Sequence, residues 1–245
     1  MSVPDSQTEA FLLLHREMTR QGPGTPEDVR WALSQIELPE HPRVLDAACG
    51  PGADLVTLAE ALPLAQIEGI DQLPHLVDEA RSATEHFSNV TVSEGDMSRI
   101  TGPYDLIWCA GALYFLGVTE GLRLWRNALV PGGTVAFSEP ALEAGASADA
   151  RAFWADYPQV TDVSGVCARV EDAGYEVLGT RLIKGLAWAG YYAELSARIN
   201  GLRSEGNAAL TEVLDAAERE IALWRAAPDQ VAYVLVLARP RLMAL

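Results

Sequence analysis

The chain has 245 residues, enough for one large α/β domain or a domain with a cap, and 49% of them are apolar while only 7% are aromatic. Its 34 acidic residues against 18 basic ones give a formal charge of −16 with no basic run, which weighs against a nucleic-acid partner because phosphate binding needs a basic surface. No apolar run approaches the roughly 18 residues of a membrane span, Met1 to Ser6 lacks the basic and apolar stretches of a secretory leader, and Cys49, Cys109 and Cys167 form no metal-spaced pair; a reducing cytoplasm is the expected compartment.

In chain order, Ser6-Gln-Thr-Glu9 has the form of a capping box and predicts a helix running to about Arg20. Gln21-Gly-Pro-Gly24 separates it from a second helix, capped by Thr25 with Pro26 at the first helical position. His41-Pro42 closes this region, and residues 43 to 140 then alternate strand and helix, the pattern of a parallel sheet covered on both faces. Val44-Leu-Asp-Ala-Ala-Cys-Gly-Pro-Gly-Ala-Asp54 reads as a strand, a tight turn and the start of a helix from Ala53 to Leu62. Gly50 and Gly52 carry no Cβ, so the turn's backbone can approach a ligand closely. Leu55 fills the third glycine position of a dinucleotide fingerprint, and Asp46 at the strand end would repel a pyrophosphate while attracting a cation or the amine of an amino acid. The loop therefore suits a nucleoside with a positively charged tail, and S-adenosylmethionine is such a ligand.

Ile67-Glu-Gly-Ile-Asp71 reads as a second buried strand whose final carboxylate, 21 residues after Gly50, can accept both ribose hydroxyls. Pro74 opens the next helix. Val90-Thr-Val-Ser-Glu-Gly-Asp96 is a third strand, with Asp96 expected on an adenine amino group and Met97 on the ring face. Tyr104 to Cys109 is the fourth strand, its Asp105 structural; Thr119 caps a helix from Glu120 to Leu129, and Leu129 to Thr134 turns into the fifth strand. Beyond Glu139, Ser147 to Tyr157 and Ser164 to Ala173 read as helices, and a strand follows Gly174 to about Ile183. Trp188 to Ala227 is helical, with Leu210, Val213, Leu214, Ala217, Ile221 and Trp224 on one face, and Val231 to Leu237 is a final strand.

Together these segments resemble the class I S-adenosylmethionine-dependent methyltransferases over essentially the whole chain. A closer likeness, carried by the first helix with Gln21-Gly-Pro-Gly24 and by Trp108-Cys-Ala-Gly-Ala-Leu-Tyr114, is to a bacterial small-molecule subgroup of largely unassigned substrate. The resemblance implies a Rossmann-like, seven-stranded, mostly parallel sheet with an antiparallel last strand. It implies a helical lid over 1–40, a core over 41–184 and 229–240, and a helical cap over 185–228 between the last two strands. It implies S-adenosylmethionine as cofactor, S-adenosylhomocysteine as product and no metal. It further implies a cytoplasmic monomer or homodimer acting on a small molecule, with neither nucleic acid nor membrane as partner. Cofactor contacts are expected at Asp46, Ala47, Ala48, Cys49, Gly50, Gly52, Asp71, Gln72, Gly95, Asp96, Met97, Cys109 and Ala110, with Arg20 and Gly24 in a lid over the methionine end. Members of the subgroup often carry an acid where Ala110 stands, so this sequence gives no carboxylate-assisted step at that position.

Methyl transfer from a sulfonium is an in-line displacement, and a general base is needed only when the nucleophile must lose a proton. His15, on the helical face of Phe11, Leu12 and Met18, is the first candidate base, with a half-buried core histidine as the competing reading. Glu139 is expected at the carboxyl end of the fifth strand, where ligands bind in open α/β sheets, and Tyr114 at the edge of the acceptor pocket. Trp188, Tyr191 and Tyr192 share a helical face at the start of the cap; they are candidates for the substrate pocket, against a plain core stripe. Two other functions stay open. An NAD-dependent oxidoreductase could hold a ribose on Asp71, although the missing third glycine, Asp46 and Asp96 count against it. A non-catalytic S-adenosylmethionine-binding sensor or partner subunit would account for Ala110.

Overall fold

The structure, a computed structural model, describes residues 6–204 and 207–241. Residues 1–5, on which the expectations about a leader and the start of the lid fall, and residues 205–206 of the expected cap lie outside the described residues.

Seven strands, β1 (Arg43–Ala47), β2 (Gln66–Asp71), β3 (Val90–Glu94), β4 (Tyr104–Cys109), β5 (Leu129–Leu142), β6 (Tyr175–Ile183) and β7 (Val231–Pro240), form one sheet in the order β3-β2-β1-β4-β5-β7-β6. The first five pair in parallel, and β7 runs antiparallel to both β5 and β6. The apolar runs are continuous because the inner strands are covered on both faces and successive side chains alternate between them. Leu45, Ile107, Phe137 and Val236 enter one core, while Val44, Leu106, Ala136 and Leu235 enter the other.

Around the sheet lie α1 (Gln7–His15), α2 (Pro26–Ser34), α3 (Ala53–Ala61), α4 (Pro74–Thr84), α5 (Val118–Trp125), α6 (Ala148–Phe153), α7 (Val163–Asp172), α8 (Leu186–Leu202) and α9 (Ala208–Ala226). A third apolar cluster joins Leu14 and Met18 to Trp188, Tyr192, Ile199, Leu210 and Leu214, so the N-terminal helix packs on α8 and α9 from the β6–β7 connection. Strand order reverses between β1 and β4, and such a reversal opens a crevice at the carboxyl ends of the strands.

Several boundaries differ from the sequence reading. The first helix stops at His15 rather than Arg20, because Arg16 is extended and Glu17 is left-handed at φ 59°. That reversal buries Met18 and lets Arg20 reach Asp54. Helix α5 starts at Val118 after Gly117, at φ 78°, so Thr119 is no cap; its hydroxyl donates instead to the Arg169 carbonyl at 3.0 Å. Helix α6 ends at Phe153, not Tyr157. Asp105 is structural as expected, accepting the Arg43 amide at 2.8 Å.

Candidate functional site

The turn between β1 and α3 is fastened to the end of β2. The Gly50 amide donates to Asp71 Oδ2 at 3.0 Å, the Leu73 amide donates to Asp71 Oδ1 at 2.9 Å, and the Cys49 amide donates to the Ile70 carbonyl at 2.9 Å. Ala48 and Gly50 are both left-handed, at φ 62° and 55°, which turns the backbone between them toward the crevice. Gly52, at φ 93°, answers a different demand: a β-carbon there would meet the Ala80 Cα at 3.0 Å, so it permits close packing of α3 on α4.

Asp46 is 2% exposed and its Oδ2 has no hydrogen-bond partner among the described residues. Burial pushes its carboxyl well above the usual range, the charges of Asp54 and Asp71 push the same way, and Arg20 opposes them. Asp54, in the first turn of α3, holds Arg20 instead: its Oδ1 lies 2.6 Å from Arg20 Nη2, and its Oδ2 accepts the Trp108 indole N–H at 2.9 Å. The sequence reading missed Asp54, although an acid in the first turn after a glycine loop was its available signal.

At the other end of the crevice, Asp96 caps the short turn Met97–Arg99 by accepting the Ser98 amide at 2.8 Å, and hydrogen bonds to Ser98 lower its pKa. Met97 is buried, with its carbonyl taking the Trp125 indole N–H at 2.7 Å. Ala48, Cys49, Gly50, Asp71, Gln72, Gly95, Asp96, Met97 and Ala110 all line one cavity with Asp46 and Arg20. Ala47 and Cys109 lie beneath it in the core, Gly52 faces α4, and Gly24 stands beside the Arg20 guanidinium, so these four do not reach the wall. Burial raises the thiols of both Cys49 and Cys109, which argues for packing rather than nucleophilic chemistry.

The cavity measures about 1380 Å³ and continues from the strand ends to a chamber walled by α1, α8, α9 and the segment after α6. His15 lines it; its Nδ1 donates to the Phe11 carbonyl at 2.9 Å, its ring sits 4.1 Å from that of Phe11, and burial lowers its pKa. It is therefore a neutral imidazole at pH 7. Tyr114 lines the chamber edge-on to Tyr157, and burial pushes its phenol up to about 12. Trp188, Tyr191 and Tyr192 also line it, yet Trp188 and Tyr192 are nearly wholly buried: the Trp188 indole N–H donates to the Ile183 carbonyl at 2.9 Å and the Tyr192 hydroxyl to Glu220 at 2.8 Å. Pocket and core are thus two faces of the same side chains.

Glu139 departs from expectation. Strand β5 stays paired with β7 as far as Leu142, so Glu139 lies inside the strand, 0% exposed, and Pro140 reaches the cavity in its place. The Leu142 amide donates to the Thr161 carbonyl at 2.9 Å and draws the preceding loop across the strand end. Tyr157 from that loop donates its hydroxyl to Glu139 Oε1 at 2.6 Å; Oε2 has no partner among the described residues. Burial pushes this carboxyl up to about 7, against the hydrogen bond from Tyr157 and the charge of Arg169 at 3.7 Å. Glu139 can touch the chamber only through Tyr157. Sequence reasoning also missed Tyr157, Glu220, Trp154 and Tyr233 as wall residues; the aromatic content of 153–157 was the available signal for Trp154 and Tyr157, and Glu220 and Tyr233 had none. Among the described residues no group of His, Cys, Asp and Glu is arranged to hold a metal.

Comparison with known proteins agrees with this geometry. Residues 44–133 match a family described as a methyltransferase domain. A trans-aconitate 2-methyltransferase of Deinococcus radiodurans is 32% identical over 111 residues, 44% of this chain and 42% of that protein. The chain thus spans less than half the length of the curated relatives it matches. A solved S-adenosylmethionine-dependent methyltransferase of Geobacter sulfurreducens, in complex with S-adenosylhomocysteine, superposes at a TM-score of 0.82 with 21% identity, covering 95% of this chain and 98% of that one. The [4+2]-cyclase SpnF superposes at 0.74 with 17% identity, covering 99% and 98%.

Proposed function

From a class I methyltransferase fold with a methyltransferase domain at its centre, we propose that this chain moves a methyl group from S-adenosylmethionine to a small-molecule acceptor by in-line displacement. The observation that carries the reading is the unpartnered Oδ2 of Asp46 in a cavity of about 1380 Å³. A single small-molecule site needs roughly 300–1,000 Å³, so there is room for two ligands side by side. A buried carboxylate oxygen without a donor costs stability until a cation meets it, and the ammonium of an amino-acid tail is such a cation.

The residues present fit that cofactor. Asp46 would receive the ammonium, Gly50 offers open backbone, Asp71 has lone pairs left after two amide bonds for a ribose, and Asp96 and Met97 stand where an adenine would end. Arg20, locked on Asp54, would close the amino-acid end without competing for Asp46. When bound, S-adenosylmethionine supplies an electrophilic methyl group and a neutral thioether leaving group. The protein's part is to orient the acceptor, worth up to about 7–11 kcal/mol in such reactions, and to exclude water. His15, held as a neutral imidazole on the cavity wall, is available to take a proton at Nε2. Tyr114 and the Tyr157–Glu139 pair shape the acceptor side, and we assign the lid role to α1 and the cap role to α8 and α9.

That a relative is named for trans-aconitate supports the coarse class of small acceptors. A cyclase on the same fold is why the reaction must be measured, since fold alone does not fix chemistry. The three unpaired cysteines support a cytoplasmic protein, and no helix among the described residues is long and apolar enough to cross a membrane. The test is calorimetric titration with S-adenosylmethionine, S-adenosylhomocysteine and NAD, followed by a labelled-methyl screen of metabolite pools. Binding of the first two with NAD silent, and label in a small product, is expected. NAD binding alone would overturn the reading, and cofactor binding without transfer to any acceptor would leave a sensor.

A further inference from the structure

The acceptor half of the cavity is asymmetric in charge. Glu220, on α9, lines the chamber with its side chain open to solvent there, and the protein packed around its other sides raises its pKa. It accepts the Tyr192 hydroxyl at 2.8 Å, and the charge of another acid on the wall, Asp156, pushes its pKa further up. Its own charge bears on four phenols at once, those of Tyr114, Tyr191, Tyr192 and Tyr233, each held neutral by burial. Glu220 thus shares the chamber wall with these four tyrosines and with Asp156, while a further carboxylate, Glu139, lies behind Tyr157 beside Arg169. Opposing positive charge is scarce. His15 is neutral, Arg20 is spent on Asp54, and among the described residues the remaining basic group on this wall is Arg219, which is exposed to solvent.

We infer that this half of the chamber takes an organic amine as the methyl acceptor, held as a cation among the tyrosine rings with the Glu220 carboxylate as its counter-ion. Ring faces carry negative quadrupole density, and a desolvated ammonium is attracted to them as well as to a carboxylate. A carboxylate acceptor would meet the opposite: two acids on this wall, Glu220 and Asp156, against the one exposed base Arg219. This inference rests on the methyl-transfer reading of the adjoining half. The bookkeeping closes without a further reagent. The ammonium gives up one proton to the Glu220 carboxylate, which passes it to solvent; the freed lone pair forms the N–C bond while the C–S electron pair stays with sulfur; the product leaves as the N-methylated ammonium with the thioether neutral.

The test uses the full-length protein saturated with S-adenosylhomocysteine, whose own binding is measured first. Matched arylethyl probes, 2-phenylethylamine, 2-phenylethanol and 3-phenylpropionate with their naphthyl counterparts, are titrated by calorimetry and by quenching of the wall indoles Trp154 and Trp188. The amines should bind at least about tenfold tighter than the alcohols or acids, the scale of one charge-assisted hydrogen bond. Glu220→Gln should bring amine and alcohol within about threefold of each other while S-adenosylhomocysteine affinity stays unchanged, which also shows that the variant is folded. Preference for the acids, equal binding of all three probes, no binding of any, or an amine preference that survives Glu220→Gln would overturn the inference. Because the wild-type preference is read without a variant, misfolding of Glu220→Gln does not rescue it. Amine preference without S-adenosylhomocysteine binding would remove the methyl-transfer reading and leave an amine site.

Discussion

Replacing Asp46 with asparagine should move stability and cofactor affinity in opposite directions. In the free protein the carboxylate is buried beside Asp54 and Asp71 with one oxygen unpartnered, an arrangement that costs about 1–3 kcal/mol and more for a charged group. Because its native pKa is raised, protonation of this group favours the fold: its contribution to stability is fully present at low pH and is lost as pH climbs from the ordinary carboxyl range through the native value. Asp46→Asn lacks that loss. At pH 7.5 it should gain about 1–2 kcal/mol, which for a chain of this size raises Tm by roughly 2–8 °C. Binding runs the other way. A lost charge-assisted hydrogen bond of about 1.5–3 kcal/mol weakens S-adenosylmethionine roughly 10- to 100-fold. At a ligand concentration 100 times the wild-type Kd, the stabilisation of wild type is about 2.7 kcal/mol; for a variant about 30-fold weaker it falls to about 0.9 kcal/mol. Thermal melts with and without ligand, backed by calorimetry, measure both quantities. A folded Asp46→Asn protein with wild-type affinity, or one that melts lower than wild type without ligand, would refute the reasoning.

Three further substitutions test the frame around the site. Asp71→Ala strands the Gly50 and Leu73 amides, so it should lower unfolding free energy in urea by about 1–3 kcal/mol and weaken cofactor at least tenfold; unchanged binding in a folded variant removes the fastening role. Gly52→Ala places a methyl 3.0 Å from the Ala80 Cα in a left-handed residue and should cost about 1–3 kcal/mol, read as a lower Tm, whereas a neutral outcome would show that α3 and α4 can part. For Glu139, raised by burial to about 7, the native state binds a proton more tightly than the unfolded chain, so this group's contribution to stability is lost as pH rises from about 4.5 through 7. Glu139→Gln should flatten that slope, a difference on the order of a few kcal/mol across pH 5 to 8; parallel stability curves would place the proton elsewhere.

The half of the cavity at the strand ends, where we place the cofactor, was legible because its signals are local. Glycines at 50 and 52 need little but their own backbone, and Asp46, Asp71 and Asp96 each end or follow a strand whose alternation is plain in the chain. Where a prediction failed, a contact from afar had intervened. The helix expected to reach Arg20 breaks at Arg16 and Glu17, and Arg20 is then free to meet Asp54, 34 positions away in sequence. Glu139 was placed at the strand end because the chain does not reveal that β7 pairs with β5 as far as Leu142. Trp188 and Tyr192 could not be divided between core and pocket from spacing, since the structure gives them both roles.

By itself, then, the sequence determined the fold class, the order of the parallel strands' ends and the loop that suits a nucleoside with a cationic tail, since period-two alternation, turn glycines and strand-end acids are short-range properties. Only the tertiary structure decided the chamber proposed to take the acceptor. Its walls come from α1, the loop at 153–157, α8, α9 and β7, segments as far apart as His15 and Tyr233, and the meeting of Tyr192 with Glu220 or of Tyr157 with Glu139 depends on helix packing and strand register that no local pattern encodes.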